Sequence, residues 1–230
     1  MADDGREQAG DFAEMALRLH DEDTLEGTIE RVLEFAVREL DCSYAAVVFA
    51  QAKEKVETVA VTDDLVGGLG VVQLETGEGP DLDVIRFGRG IVVHDTTLDE
   101  RWPAWAAAAY ATGVRSILAT PLQTAEVTIG SLDFHDLRVG HFTEDDLEVA
   151  RVLARHAAVA LDAARDHDNL WRAIGSRHLI GLAQGILMER FAIDTDEAFA
   201  VLRRYSQDGN VKLHTVAQRV VASRRLPERD

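Results

Sequence analysis

From Thr143 to about Arg190 the sequence keeps a helical pattern without a single proline, and Gly175 is the first glycine in the run. Proline lacks the backbone N–H and clashes with the preceding turn, so its absence leaves a long helix free to form. This length points to a coiled coil between two chains. A heptad frame fits residues 150–174. Ala150, Ala157, Ala164 and Trp171 take one seam position, and Leu153, Ala160, His167 and Ile174 take the other. Small residues at a seam let helices approach closely. The alternative is a helix packed along the sheet of its own domain, and the early part could do both on different faces. His156, His167 and His178 recur every eleven residues and share a face, about 16 Å apart. That is too far to ligate one metal, and chance accounts for the spacing.

The charge changes along this run. The whole chain of 230 residues carries −17. Up to Leu170 it holds 14 basic and 34 acidic residues, and beyond it 10 and 7. An acidic module followed by a weakly basic one suggests two units with different partners. A small positive excess on a solvated helical surface explains the same numbers. With 47% hydrophobic residues the chain can bury a sizeable core. One cysteine, Cys42, excludes a disulfide framework and any CxxC pair. The acidic N-terminus is no secretory signal, and no apolar run approaches the ~20 residues of a membrane span, so a cytoplasmic location is expected.

In the acidic part, apolar residues from Leu17 to Leu40 recur at three- and four-residue steps and predict one helix over 12–40. Residues 43–50 and 55–62 read as a strand hairpin, 90–96 as a third strand, and 116–122 and 127–136 as two more. Residues 100–113 read as a short helix closed by Gly113. "GGLG" at 67–70 leads into a strand-like "VVQLE" and reads as a turn, not a phosphate cradle. Thr143 suits the N-cap of the long helix. The predicted class is α+β with an antiparallel sheet flanked by helices, a long coiled-coil linker helix and a C-terminal three-helix bundle.

"EGPDLDVIRFGRGIVVHDTTLDERWP", "GVRSILATPL", "IGSLDFHD" and "HFTEDDLEVARVLARHAAVAL" occur in this order. Over about residues 10–165 they resemble a GAF domain, a module that senses small molecules and signals. The resemblance implies a ligand pocket between the sheet and the segment from Asp81 to Tyr110, with Asp81, Trp102, Trp105 and Tyr110 as candidates. Packing alone also accounts for the two tryptophans. Many relatives carry cysteine where Asp81 stands, so thiol sensing is not expected here. The asparagine-lysine-phenylalanine signature of cyclic-nucleotide binders is absent too. "VTDDLVGG" mimics the acidic pair of a receiver domain, but the only lysines, Lys53, Lys55 and Lys212, give no late-strand lysine. His94–Asp95 and His135–Asp136 look like dyads without a nucleophile and read as surface or strand-end residues. No catalytic residue, metal site or cofactor is expected.

Residues 194–207 form an amphipathic helix with Asp194 and Glu197 as a capping pair and Gly209 as its stop. Its apolar stripe is Ala198, Val201, Leu202 and Tyr205. Residues 211–224 form another helix, with Asn210 as N-cap. "LIGLAQGILMERF…DEAFAVLRRYSQDGNVKLHTVAQRVV" resembles the ANTAR domain, the RNA-binding module of bacterial antitermination regulators. The match covers about residues 165–224, within a domain set at 166–226. It implies a three-helix bundle on a coiled coil, whose homodimer binds paired RNA hairpins and so prevents formation of a terminator. The residues it nominates for RNA are Ala183, Gln184, Gly185, Arg204, Ser206, Asn210, Lys212 and His214. Gln184 stands where many relatives have lysine, which removes one phosphate contact, ~0.7 in salt slope for a single strand. Tyr205 either stacks on a base or belongs to the core. The small residues Gly181, Ala183 and Gly185 are expected to let the other two helices approach the first, and Ala183 and Gly185 also to let RNA come close.

The leading reading is therefore a signal-responsive RNA-binding antiterminator, not an enzyme. Its expected partners are RNA, a second copy of the chain and either a small ligand or an upstream signalling protein. A DNA-binding helix-turn-helix regulator and a sensor acting only through protein partners are the alternatives.

Overall fold

The computed structural model describes residues 14–19, 21–22, 24–51 and 55–226. The chain divides into two compact units, Met1–Arg165 and Asp166–Asp230. In order along the chain come α1 (residues 14–19), α2 (Leu25–Glu39), β1 (Tyr44–Gln51), β2 (Lys55–Val61), α3 (Asp64–Thr76), α4 (Pro80–Phe87), β3 (Ile91–Val93), α5 (Pro103–Thr112), β4 (Ser116–Gln123), β5 (Thr128–Asp136), α6 (Glu144–Phe191), α7 (Thr195–Asp208) and α8 (Leu213–Ser223).

The five strands form one antiparallel sheet in the order β2-β1-β5-β4-β3. Side chains alternate across a strand, and the two faces differ here. Ala45, Val47 and Phe49 of β1 and Leu132 and Phe134 of β5 join a core with α2 and the first part of α6. The opposite face lies under α3 and α5, where Val66, Leu69, Trp105 and Ala109 pack on Ile117. α6 meets the first face with Leu147, Ala150, Leu153, Ala154, Ala157 and Leu161, all buried. Each such side chain contributes roughly 1.5–3 kcal/mol where it is large, and alanine less. This corrects the seam expectation. Ala150, Leu153 and Ala157 of the heptad frame are consumed by the domain's own sheet, because a helix on a sheet needs the same three- and four-residue spacing. Only Ala164, His167, Trp171 and Ile174 remain outside that core.

Three local readings also change. The predicted helix over 12–40 is two helices, with residues 12, 13, 20 and 23 outside the described residues. Thr24 starts the second by accepting a hydrogen bond from Gly27 N at 3.0 Å, an N-cap inside an unbroken apolar rhythm. Leu17 is exposed and no part of the stripe. "GGLGVVQLE" lies wholly within α3 rather than in a turn and a strand. Asp63 caps that helix on Leu65 N, Gly77 closes it at φ 72°, and Val66, Leu69, Gly70 and Gln73 are its buried side. A Cβ on Gly70 would stand 2.1 Å from Thr58 Oγ1, so glycine is what lets α3 lie against β2.

In the second unit, Ala183 and Leu187 of α6, Ala198 and Leu202 of α7, and Val216, Ala217 and Val220 of α8 form the core. Tyr205 packs against it, which favours its core reading. Asp194 and Glu197 close both arms of a capping box. Gly209 ends α7 in a right-handed conformation, φ −88°, and Asn210 takes the left-handed one, φ 47°. The expected N-cap role of Asn210 fails, since α8 starts at Leu213 after Lys212. Asparagine tolerates positive φ better than other side-chain-bearing residues, so it serves the turn instead.

The glycine expectation is overturned as well. Cβ atoms built on Gly181 and Gly185 meet nothing within 4 Å. Both glycines are exposed, and of the three small residues only Ala183 faces the other helices. Residues four apart share a helix face, so Gly181 and Gly185 make a bare strip on the outside of α6.

Candidate functional sites

Ser131, Asp133 and His135 follow one another on the β5 face turned toward α3 and α5, opposite Leu132 and Phe134. Asp133 pairs with Ala46 of β1 and Ala119 of β4, so short side chains flank it on both sides. Above it lie Gln73 of α3, Asp81 of α4 and Trp105 of α5, around a cavity of about 10 Å³. That is room for no more than one water.

The lining is polar where it is deepest. Gln73 Nε2 donates to Asp81 Oδ2, and Asp81 N donates to Gln73 Oε1 at 2.9 Å. Ser131 Oγ donates to Asp133 Oδ2 at 3.4 Å. Burial pushes the Asp81 carboxyl above its ordinary range, partly offset by its hydrogen bonds to Asp133 and Gln73. Burial, then the charge of Asp81, pushes Asp133 well above it. Burial alone pulls His135 down to about 4, so its ring is neutral at pH 7. Asp133 Oδ1, both ring nitrogens of His135 and Trp105 Nε1 are buried without a hydrogen-bond partner.

Asp81 and Trp105, two of the four pocket candidates, line this cavity. Trp102 is buried beside it, edge-on to Trp105 at 5.8 Å, with its Nε1 donating to Asp83 Oδ2 at 3.1 Å. Tyr110 lies half-exposed under the Arg115 guanidinium, away from the cavity. Gln73 and Asp133 escaped the sequence reading, and His135 entered it only in a pair with Asp136, not as a pocket residue. Their signal was the alternation Ser131, Asp133, His135 within an otherwise apolar strand. His135 and Asp136 are buried, not surface residues, and they face opposite ways, so they form no dyad. Asp136 instead accepts from Ser43 N and Oγ at 3.0 Å and from Arg138 Nε at 2.7 Å. Burial pushes its carboxyl up, but the Arg138 and Ser43 hydrogen bonds win and hold it well below the usual carboxylate range. Among the described residues no group of three or more His, Cys, Asp or Glu could hold a metal ion.

The eight residues nominated in the C-terminal unit fall into two groups. Gln184 donates to the Thr195 carbonyl at 3.0 Å, at the start of α7, with exposed Gly185 beside it. Asn210, Lys212 and His214 cluster past the end of α7, with Ser206 and Arg204 on its last turns. The length of α7 separates the groups by about 20 Å. Lys212 and Asn210 are exposed, and His214 is half-buried. Arg204 is exposed and lies 3.7 Å from Asp208 in a surface pair of little strength. Ser206 Oγ donates to the Val211 carbonyl at 2.6 Å and so holds the α7–α8 turn. Ala183 is wholly buried, and its side chain offers nothing to RNA. Gly181 and Leu182, exposed on the outer face of α6, extend the accessible surface beyond the nominated set.

Compared with known families, residues 24–161 match the GAF domain and residues 168–221 the ANTAR domain. No curated protein matches the chain. Among solved structures, the GAF domain of an Acinetobacter phosphoenolpyruvate-protein phosphotransferase covers 70% of this chain and 97% of its own, with a TM-score of 0.56 at 12% identity. That of the Coxiella burnetii phosphotransferase covers 70% and 96%, with a TM-score of 0.55 at 18% identity. A free methionine-R-sulfoxide reductase from Neisseria meningitidis, solved with its substrate, covers 67% and 88%, with a TM-score of 0.51 at 15% identity. At these identities the likeness is one of fold. The chain thus belongs to the GAF domain family and carries an ANTAR domain behind its GAF domain.

Proposed function

We propose that this protein is a cytoplasmic, signal-responsive regulator of transcription antitermination that binds paired RNA hairpins as a homodimer. The observation that carries the reading is the order of the two domains on one chain, a GAF domain and then an ANTAR domain. Both are regulatory rather than catalytic modules, and no described helix is long and apolar enough to cross a membrane. The GAF domain takes the input, and α6, continuous from Glu144 to Phe191, carries it toward the RNA-binding bundle. Leu170, Trp171 and Ile174 are large, apolar and exposed on α6. Trp171 and Ile174 stand at heptad positions that the GAF core does not consume, and Leu170 lies beside them.

RNA engages exposed Lys212 and Arg204 through phosphates, and Asn210 and His214 reach loop bases. Gln184 and Gly185 form a second contact region. Filter binding of a two-hairpin RNA at several salt concentrations tests this, with duplex DNA as competitor. Lys212→Ala should weaken binding and lower the salt slope by ~0.7, and Gln184→Lys should steepen it by a similar amount. Because the sites lie about 20 Å apart, the two effects should add. If both variants bind like the parent, the RNA face lies elsewhere. If duplex DNA competes as well as the hairpins, the unit is a DNA-binding module.

A further inference from the structure

On the α6 side of the sheet an open groove of about 660 Å³ runs beside the first part of that helix. Its volume is that of an ordinary small-molecule site. One wall is a stripe of α6, residues 148, 151, 152, 155 and 159, whose three- and four-residue steps keep it on one face. The rest comes from residues 88–90, just before β3, and residues 120–125, from β4 and the turn after it. With Ala150 and Leu153 as heptad positions a and d, the groove stripe falls on b, c and f. Those positions face away from a partner helix, so a second copy on the seam leaves the groove open.

The groove is basic within an acidic module. Up to Leu170 acidic residues outnumber basic ones by 34 to 14. Here Arg89, Arg151 and Arg155 meet one acid, Glu148, which leaves an excess of two positive charges. Glu148 is ion-paired with Arg151. Arg89 lies over the Phe87 ring at 5.5 Å. Among the described residues neither Arg89 nor Arg155 has an ion-pair partner. Thr120 lines the same groove and is wholly buried, and its Oγ1 has no hydrogen-bond partner. Pro121 with Val152 and Val159, 40% and 64% exposed, adds apolar surface.

We propose that this groove is the receptor site for a small phosphomonoester. Its phosphate is held by the arginines and the Thr120 hydroxyl, and its apolar part lies on Val152, Val159 and Pro121. Guanidinium forks match phosphate oxygens bidentately. A phosphomonoester carries close to two negative charges at neutral pH, which balances the excess in the groove, whereas a carboxylate balances only half of it. A polyanion such as RNA fits less well, because the acidic surface around the groove repels it. Glu148, whose side chain is 70% exposed, swings into solvent and yields Arg151 to the phosphate. Arg151 and Arg155 stand on α6, the helix that continues to Phe191. This names a ligand class for the proposed sensing role and rests on that reading.

The test is calorimetric titration of the intact chain with phenyl phosphate at fixed ionic strength, with inorganic phosphate and benzoate as controls. Phenyl phosphate should bind more tightly than either. Arg151→Gln and Arg155→Gln should each lower its affinity roughly tenfold, the scale of one charged hydrogen bond. Thr120→Val, nearly the shape of the parent, should also weaken it. Glu148→Gln should tighten it, because Arg151 is freed and a repelling carboxylate is gone. Unfolding midpoints of the variants confirm that the fold is kept. If phenyl phosphate does not bind, the proposal falls. If inorganic phosphate binds as tightly, the groove holds an ion only, and if benzoate does, the phosphate class is wrong. If the arginine variants or Thr120→Val bind like the parent, or Glu148→Gln brings no gain, the phosphate does not sit here. Lys212→Ala should leave phenyl phosphate binding unchanged, and a loss there would move the site to the C-terminal bundle. Hairpin RNA binding by the ligand-free arginine variants should equal the parent's, and a loss would make the groove an RNA contact instead. RNA binding by the parent judges the antitermination reading separately.

Discussion

Replacing Gly181 and Gly185 with alanine should stabilise the C-terminal bundle. A glycine inside a helix costs about 1 kcal/mol relative to alanine, from backbone entropy. That gain is realised only where the new methyl group meets no obstacle, and here a Cβ at either position has open space to 4 Å. The pair should therefore add about 2 kcal/mol, and the sites lie outside the bundle core. Hydrogen exchange of the α6 amides near Leu187 in the intact chain reads this directly. One substitution should slow exchange about fivefold and both about thirtyfold. Exchange that stays the same or quickens would refute the reasoning, since it would mean that another body packs against this face of α6. RNA binding provides a second, opposed readout. If the bare strip admits RNA, Gly185→Ala weakens hairpin binding while the protein grows more stable. A stability gain with unchanged affinity would assign the strip no part in RNA recognition.

Three further outcomes follow from the same geometry. Asp133 has a folded pKa above its unfolded value, so its charge destabilises the native state once pH rises past the ordinary value of 3.8. The unfolding midpoint of Asp133→Asn should match the parent near that pH and pull ahead of it as pH rises; a constant gap would refute the assignment. Leu187 is fully buried in the bundle core, and Leu187→Ala should cost roughly 2–5 kcal/mol in chemical denaturation of the C-terminal unit. Light scattering of the intact chain at micromolar concentration should give a dimer, and Trp171→Glu with Ile174→Glu should give a monomer. A monomeric parent would exclude the seam.

Much of the architecture was legible because it rests on local periodicity. The strand composition of 43–50, the alternation in 55–62 and the short apolar runs at 116–122 and 127–136 mark strands whichever partners they find. The proline-free run from Thr143 marks one helix, and Asp194 with Glu197 marks the start of another. The GAF and ANTAR resemblances added the order of the parts. What the sequence could not decide was which neighbour each periodic face would meet. Alanine at 150 and 157 suits a partner helix as well as a sheet, and only the packed core shows that the sheet takes it. The glycines of α3 and those at 181 and 185 look alike in sequence. Gly70 exists because Thr58 stands 2.1 Å from the place of its Cβ, whereas Gly181 and Gly185 face open space. The cavity under α3, α4 and α5 was only half visible for the same reason. Asp81 and Trp105 lie in the segment that the resemblance pointed to, but Gln73 comes from α3 just ahead of it, and Asp133 and His135 from β5, far along the chain. A carboxyl's neighbours across space, not along the chain, determine whether it is solvated or buried and held above its ordinary range, and those neighbours exist only once the sheet has closed under its helices.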